Sequence, residues 1–80
     1  MLPRYAIPLS KLPIGSSGKI VDLELDGLLR RRVLDLGMVP GTQVECVRRS
    51  PSGDPTAYKV RGAMIALRSE NAKLITVYLS

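Results

Sequence analysis

The chain has 80 residues, 12 Lys and Arg against 7 Asp and Glu, no His and one Cys, for a formal net charge of +5. A domain this small buries only about 60% of the surface its unfolded chain exposes, so a deep catalytic cleft needs a metal, disulfides or a partner. The lone Cys46 excludes an intramolecular disulfide and a Cys-based zinc cluster. No apolar run approaches the ~20 residues of a membrane span, and no continuous apolar region follows the N-terminal Met, so a soluble cytoplasmic protein is expected.

Residues 1–8 carry Pro3 and Pro8 with little periodicity and read as an irregular or tacked-down arm, leaving 9–80 as one domain. Leu9-Ser10-Lys11-Leu12 fits one helical turn that places Leu9 and Leu12 together, ended by Pro13 and the Gly15-Ser16-Ser17-Gly18 cluster. Lys19 to Leu25 alternates as a half-buried strand, with Val21, Leu23 and Leu25 on one side and Asp22 and Glu24 on the other. Asp26 is placed to cap a helix whose Leu29, Val33 and Leu36 recur at i, i+4, i+7. Gly37 fits the left-handed residue after a helix end, and Met38 the apolar residue that packs back on the last turn. Pro40-Gly41 suits a type II turn.

Beyond this helix–turn–strand joint, Thr42–Arg49 reads as a second strand and Ser50–Pro55 as an exposed loop of turn formers. Ala57–Arg61 is a third strand, with Tyr58 and Val60 facing opposite to Lys59 and Arg61; Gly62 marks a bend or tight hairpin into a fourth, Ala63–Arg68. Ser69–Ala72 fits one helical turn capped by Ser69, and Leu74–Leu79 closes the chain as a fifth strand. Five short strands and one inserted helix predict a mainly β fold, a small closed or nearly closed barrel.

Nothing catalytic in type can be assembled. There is no nucleophile–base pair, and Gly15–Gly18 precedes a strand rather than the helix a phosphate loop requires. The basic balance suits an anionic partner, but Tyr5, Tyr58 and Tyr78 are too scattered to make the stacking platform of a nucleic-acid binder, which stands as the alternative function. Arg30, Arg31 and Arg32 form the clearest docking candidate, since guanidinium forks bind carboxylate and phosphate bidentately. Consecutive helical residues point about 100° apart, so at most two of the three serve one surface. The second candidate is the 50–55 loop, through Pro51, Gly53, Asp54 and Pro55. Cys46 alternates with Val44 and reads as a small core residue, with Tyr58 partly in the core.

In ordered series, Leu9–Leu12, Gly18-Lys19-Ile20, Arg30–Gly37, Pro40–Val44, Arg49–Pro55, Val60-Arg61-Gly62, Ile65–Arg68 and Ala72–Val77 resemble the FeoA family, small cytoplasmic proteins of ferrous-iron uptake. The resemblance implies an SH3-like barrel, similar to the C-terminal domain of metal-dependent repressors. It also implies a non-enzymatic, regulatory role beside a membrane ferrous-iron transporter with a cytoplasmic G-protein domain, at the inner membrane through that partner and without insertion of its own. Homo-oligomers are a further expectation. Family descriptions include transition-metal binding, and a metal-responsive regulatory domain is another alternative. Yet the chain has no His, and only Asp22 and Glu24 lie close on one strand face, a weak and water-filled donor set for Fe²⁺ or Zn²⁺. No resident cofactor is therefore expected, and iron is read as the pathway rather than the ligand. Two departures from the family are the longer arm before Leu9 and Ala63-Met64 at an often aromatic position.

Overall fold

The computed structural model describes residues 6–79. Its strands are β1 (Ala6–Pro8), β2 (Ser17–Leu23), β3 (Gln43–Arg49), β4 (Thr56–Val60), β5 (Ala63–Leu67) and β6 (Ile75–Leu79). A 3₁₀ turn (Leu9–Lys11) follows β1, helix α1 (Gly27–Asp35) links β2 to β3, and the single turn α2 (Ser69–Ala72) links β5 to β6. All pairings are antiparallel, in the order β1-β6-β2-β3-β4-β5. The sheet curls around one core as a small barrel, with no pairing between β1 and β5 at its seam among the described residues.

The strand beyond the expected five is β1. Its three residues sit in the stretch read as an arm, and they pair with β6 as Ala6↔Tyr78, Ile7↔Val77 and Pro8↔Thr76. Proline is tolerated there because β1 is an edge strand. Residues 1–5, including Tyr5, lie outside the described residues.

The alternation expected through Lys19–Leu25 breaks at a register shift between Ile20 and Asp22 opposite β6. A bulge turns the chain by one residue, so Ile20, Leu23 and Leu25 face the core and Val21 is exposed, not buried as the period-2 pattern implies. At the far end of β6, Leu79 shares parity with Ile75 and Val77 but emerges into solvent.

The joint at α1 is built as its residues dictate, with one exception. Asp26 occupies the N-cap position, but its carboxylate makes no cap bond. At the other end Gly37 takes φ +105. Its N–H donates to the Leu34 carbonyl at 3.0 Å and that of Met38 to the Val33 carbonyl at 3.0 Å, the paired bonds of a Schellman motif. Met38 and Val33 are fully buried. The Pro40-Gly41 turn closes with Thr42 N–H to Val39 carbonyl at 3.0 Å, and Gly41 N–H donates to the Ile20 carbonyl at 2.7 Å. Backbone bonds thus fasten the joint to β2.

Tyr58 is fully rather than partly buried, and its hydroxyl donates to the Leu9 carbonyl at 3.3 Å. Arg49 Nη2 donates to the Ser10 and Leu12 carbonyls at 3.3 and 3.2 Å, so the 3₁₀ turn is tied down from two sides. No buried side-chain polar atom lacks a partner among the described residues. Among the described residues no helix is long and apolar enough to cross a membrane.

Candidate docking surface

The three arginines of α1 fan out about the helix axis, with Arg30 and Arg31 lining one depression and Arg32 another. Arg30 turns back on the barrel, its Nη1 2.7 Å from the Leu23 carbonyl and 3.5 Å from that of Leu25. It anchors the helix to the strand it leaves. Arg31 borders a shallow depression of about 370 Å³ with Gly27 and Leu34. Arg32 lines a larger groove of about 490 Å³, whose walls are Leu29 and Leu36 on α1 and Met64–Leu67 on β5.

The 50–55 loop is ordered by its own hydrogen bonds. Ser50 N–H and Oγ both reach the Pro55 carbonyl, at 3.1 and 2.9 Å, and Gly53 N–H donates to the Ser50 carbonyl at 2.8 Å. Asp54 is engaged internally: Oδ1 accepts from Ser69 N–H at 3.0 Å and Oδ2 from Ser69 Oγ at 3.3 Å. Ser69 is the first residue of α2 and not its cap, which is Arg68; Asp54 across the loop accepts from the Ser69 N–H, while the Asn71 and Ala72 N–H groups donate to the Arg68 carbonyl. Pro51 and Pro55 border a third groove, about 350 Å³, that also touches Arg48 and Ala66. Ala66 lines this groove and the one beside Arg32. Arg32 and the loop prolines thus stand on either side of β5, whereas Arg30 and Asp54 also hydrogen-bond within the fold.

Leu28 and Ala66 escape the sequence reading, which marks Met64 only as a departure from the family. Leu28 is 84% exposed, and helical spacing puts it on the same face as Arg31, Arg32 and Asp35; that i, i+3, i+4, i+7 pattern was a usable signal. Met64 is 51% exposed and Ala66 lies in solvent on β5, and their importance depends on sheet order, which a single sequence does not show.

Among the described residues no three His, Cys, Asp or Glu side chains converge where they could hold a metal ion. Asp22 and Glu24 are both exposed, and Asp22 Oδ1 already accepts from the N–H of Leu23 at 2.9 Å. Cys46 is fully buried; burial pushes its thiol pKa up, partly offset by Arg49 and reinforced by Glu45. A thiol held protonated is a poor metal ligand.

An open antiparallel barrel with a helix between its second and third strands is the SH3-like architecture. Chlorobium tepidum FeoA, solved by solution NMR, superposes with a TM-score of 0.87 at 32% identity, over 91% of this chain and 70% of that one. Stenotrophomonas maltophilia FeoA, solved in complex with zinc and described as a prokaryotic SH3 domain protein, gives 0.72 at 34% identity over 86% of each chain. A manganese-dependent transcriptional repressor shares the fold alone, at 18% identity with a TM-score of 0.84, over all of this chain and 44% of that one. The sequence matches the FeoA domain over residues 7–79, and the chain belongs to the FeoA family, a family of ferrous-iron transport accessory proteins. It is 37% identical over 71 residues to the Fe(2+) transport protein A/Fe(2+) transporter FeoB fusion protein of Porphyromonas gingivalis (strain ATCC BAA-308 / W83). That match spans 89% of this chain and 8% of the relative.

Proposed function

We propose that this protein is a non-enzymatic regulatory module of ferrous-iron uptake that docks on the cytoplasmic side of the membrane transporter, beside its G-protein domain. The observation that carries the reading is the fusion relative, in which a domain 37% identical to this chain is covalently part of a protein described as a transporter. Fusion raises the local concentration of a module to about millimolar for a short flexible linker, a gain that matters when the separate proteins associate. The surface supports the same reading: Arg31 and Arg32 project from α1, and Leu28 adds an exposed apolar residue between them and the helix start. Apolar anchors ringed by arginine suit a protein partner with acidic residues. The protein works in the cytoplasm and reaches the inner membrane only through this contact, with iron as the transporter's cargo and not a ligand of this chain.

The test is co-purification of the tagged protein with the full-length transporter in detergent. Stoichiometric recovery that falls at least about tenfold with Leu28→Asp supports the docking face, since an apolar anchor of this size is worth ~1.4 kcal/mol or more. Absence of co-purification at micromolar concentrations would refute the role.

A further inference from the structure

Among the described residues β5 is the last strand of the sheet and pairs on one side only, with β4. The two-residue turn at Arg61-Gly62, with φ of 51° and 82°, makes Val60 and Ala63 the closing hydrogen-bonded pair. Antiparallel ladders alternate, so Tyr58–Ile65 and Thr56–Leu67 are hydrogen-bonded pairs while Lys59–Met64 and Ala57–Ala66 are not. The N–H and C=O groups of Met64 and Ala66 therefore point away from β4. No turn, loop or cap backbone bond among the described residues ends on either of them.

An edge of this kind is ordinarily blunted by charge, by proline or by a covering element. β5 reads Ala63-Met64-Ile65-Ala66-Leu67, without charge or proline, and α1 stands beside it at the distance of the 490 Å³ groove. That volume falls within the roughly 300–1,000 Å³ of built binding clefts. The groove is apolar in its walls, through Leu29, Leu36 and Met64, and basic at its rim. Arg32 lines it, Arg61 and Arg68 follow the two ends of β5, and Lys59 stands opposite Met64. The nearby acids are Asp35 in the groove, Glu70 beyond Arg68, Asp54, which is held by Ser69 at 3.0 Å, and Glu45, which stands opposite Lys59, so Arg32, Arg61 and Arg68 are the cations the edge offers a ligand. A second copy of this chain pairing β5 with itself would bring Arg61 of one copy beside Arg68 of the other, and like charges facing across strands are unfavourable. The charge balance selects an acidic occupant.

We infer that β5 receives an extended strand from a partner protein, one whose backbone pairs with Met64 and Ala66 and whose carboxylates alternate with apolar side chains. Main-chain bonds supply the affinity of such strand addition and side-chain pockets the selectivity: apolar residues rest on Leu29, Leu36 and Met64, and carboxylates meet Arg32, Arg61 and Arg68. The inference rests on the proposed role for the source of that strand, the transporter's cytoplasmic region, and on the geometry of β5 for its chemistry.

Residue-resolved amide exchange on the ¹⁵N-labelled protein tests it, first alone, then with the transporter's cytoplasmic domain, and in parallel with the synthetic peptide acetyl-Glu-Val-Asp-Val-Glu-Val-Asp-amide. Alone, the Met64 and Ala66 amides exchange at least about a hundredfold faster than those of Ile65 and Leu67. Either ligand slows them about tenfold or more. Met64→Pro removes an outward N–H that the β4 ladder does not use, and it weakens binding about tenfold with the Ile65 and Leu67 amides still protected. Arg32→Glu weakens it similarly without touching the backbone.

Equal protection of all four amides in the free protein overturns the inference. So does protection of Met64 and Ala66 that grows with protein concentration alone, which assigns the edge to a second copy. Binding of the domain with unchanged exchange, and with equal affinity for Met64→Pro, overturns strand addition and leaves the docking role standing. Protection by the peptide but no binding of the domain sustains the strand-accepting edge and removes the transporter as its source. Exchange unchanged by both ligands overturns the inference.

Discussion

Replacing Gly37 by Ala tests whether the helix–turn–strand joint holds the fold in the way its backbone suggests. Gly37 sits at φ +105, where a Cβ is strained by about 1–3 kcal/mol. The added Cβ would also lie 2.6 Å from Arg61 Cδ and 3.3 Å from Arg61 Cγ. The Arg61 side chain is exposed and can turn away at about 0.5–1.5 kcal/mol of rotamer cost. Gly37→Ala should therefore destabilise the protein by about 2–4 kcal/mol, out of a total near 0.05–0.15 kcal/mol per residue, with a melting temperature lower by more than about 8 °C. Urea unfolding at constant m-value reads the loss. Gly41→Ala is the reference: φ is +93 there, but nothing lies within 4 Å of the new Cβ, so only the backbone strain remains. In an Arg61→Ala background, the cost of Gly37→Ala should fall to that of Gly41→Ala. Equal costs for the two glycines in the wild-type background would refute the role of Arg61. A loss below about 0.5 kcal/mol at Gly37 would refute the joint itself.

Tyr58→Phe removes the buried bond to the Leu9 carbonyl and should cost about 1 kcal/mol by urea unfolding, without change in affinity for any partner. Asp54→Ala strips the acceptor from the first amide of α2 and should cost about 0.5–2 kcal/mol; an unchanged midpoint with lost binding would return Asp54 to the docking surface. The Cys46 thiol has its pKa raised by burial above the ordinary 9.0. The unfolded chain therefore releases this proton first as pH rises, so the stability held below pH 9 is lost progressively on the way to the folded-state pKa. Urea midpoints should stay flat from neutral pH to about 8 and then decline, and Cys46→Ala should flatten that decline even though the cavity lowers all the midpoints.

The elements legible in the sequence are those whose chemistry is local. Gly37 and the Pro40-Gly41 pair declare positive φ by residue type, and Met38 follows as the apolar residue the Schellman cap needs. Tyr58 and Val60 keep their alternation because β4 runs without interruption opposite Ile65 and Ala63. What failed was extrapolation across distance. Val21 faces solvent because β2 bulges against a strand more than fifty residues away. The arm reading left irregular and tacked-down open, and Ala6–Pro8 is tacked down as a strand because β6 offers it an edge. At the candidate site, the sequence named Arg30, Arg31 and Arg32 together, but the carbonyls of Leu23 and Leu25 claim the first. Met64 and Ala66 gain their significance from β5 being outermost, a property of sheet order and not of any spacing within the chain.

In the proposed role a basic face on α1 docks the transporter, and one titration tests it directly. Fluorescently labelled protein is titrated with the transporter's isolated cytoplasmic domain under GDP, a GTP analogue and no nucleotide, at two salt concentrations. Saturable binding is expected in at least one state, weaker at the higher salt because exposed arginines are screened, and weakened about tenfold or more by Arg31→Glu with Arg32→Glu. Affinity that is unaffected by both substitutions, or no binding in any nucleotide state up to about 100 μM, equivalent to ~5.5 kcal/mol, would contradict it.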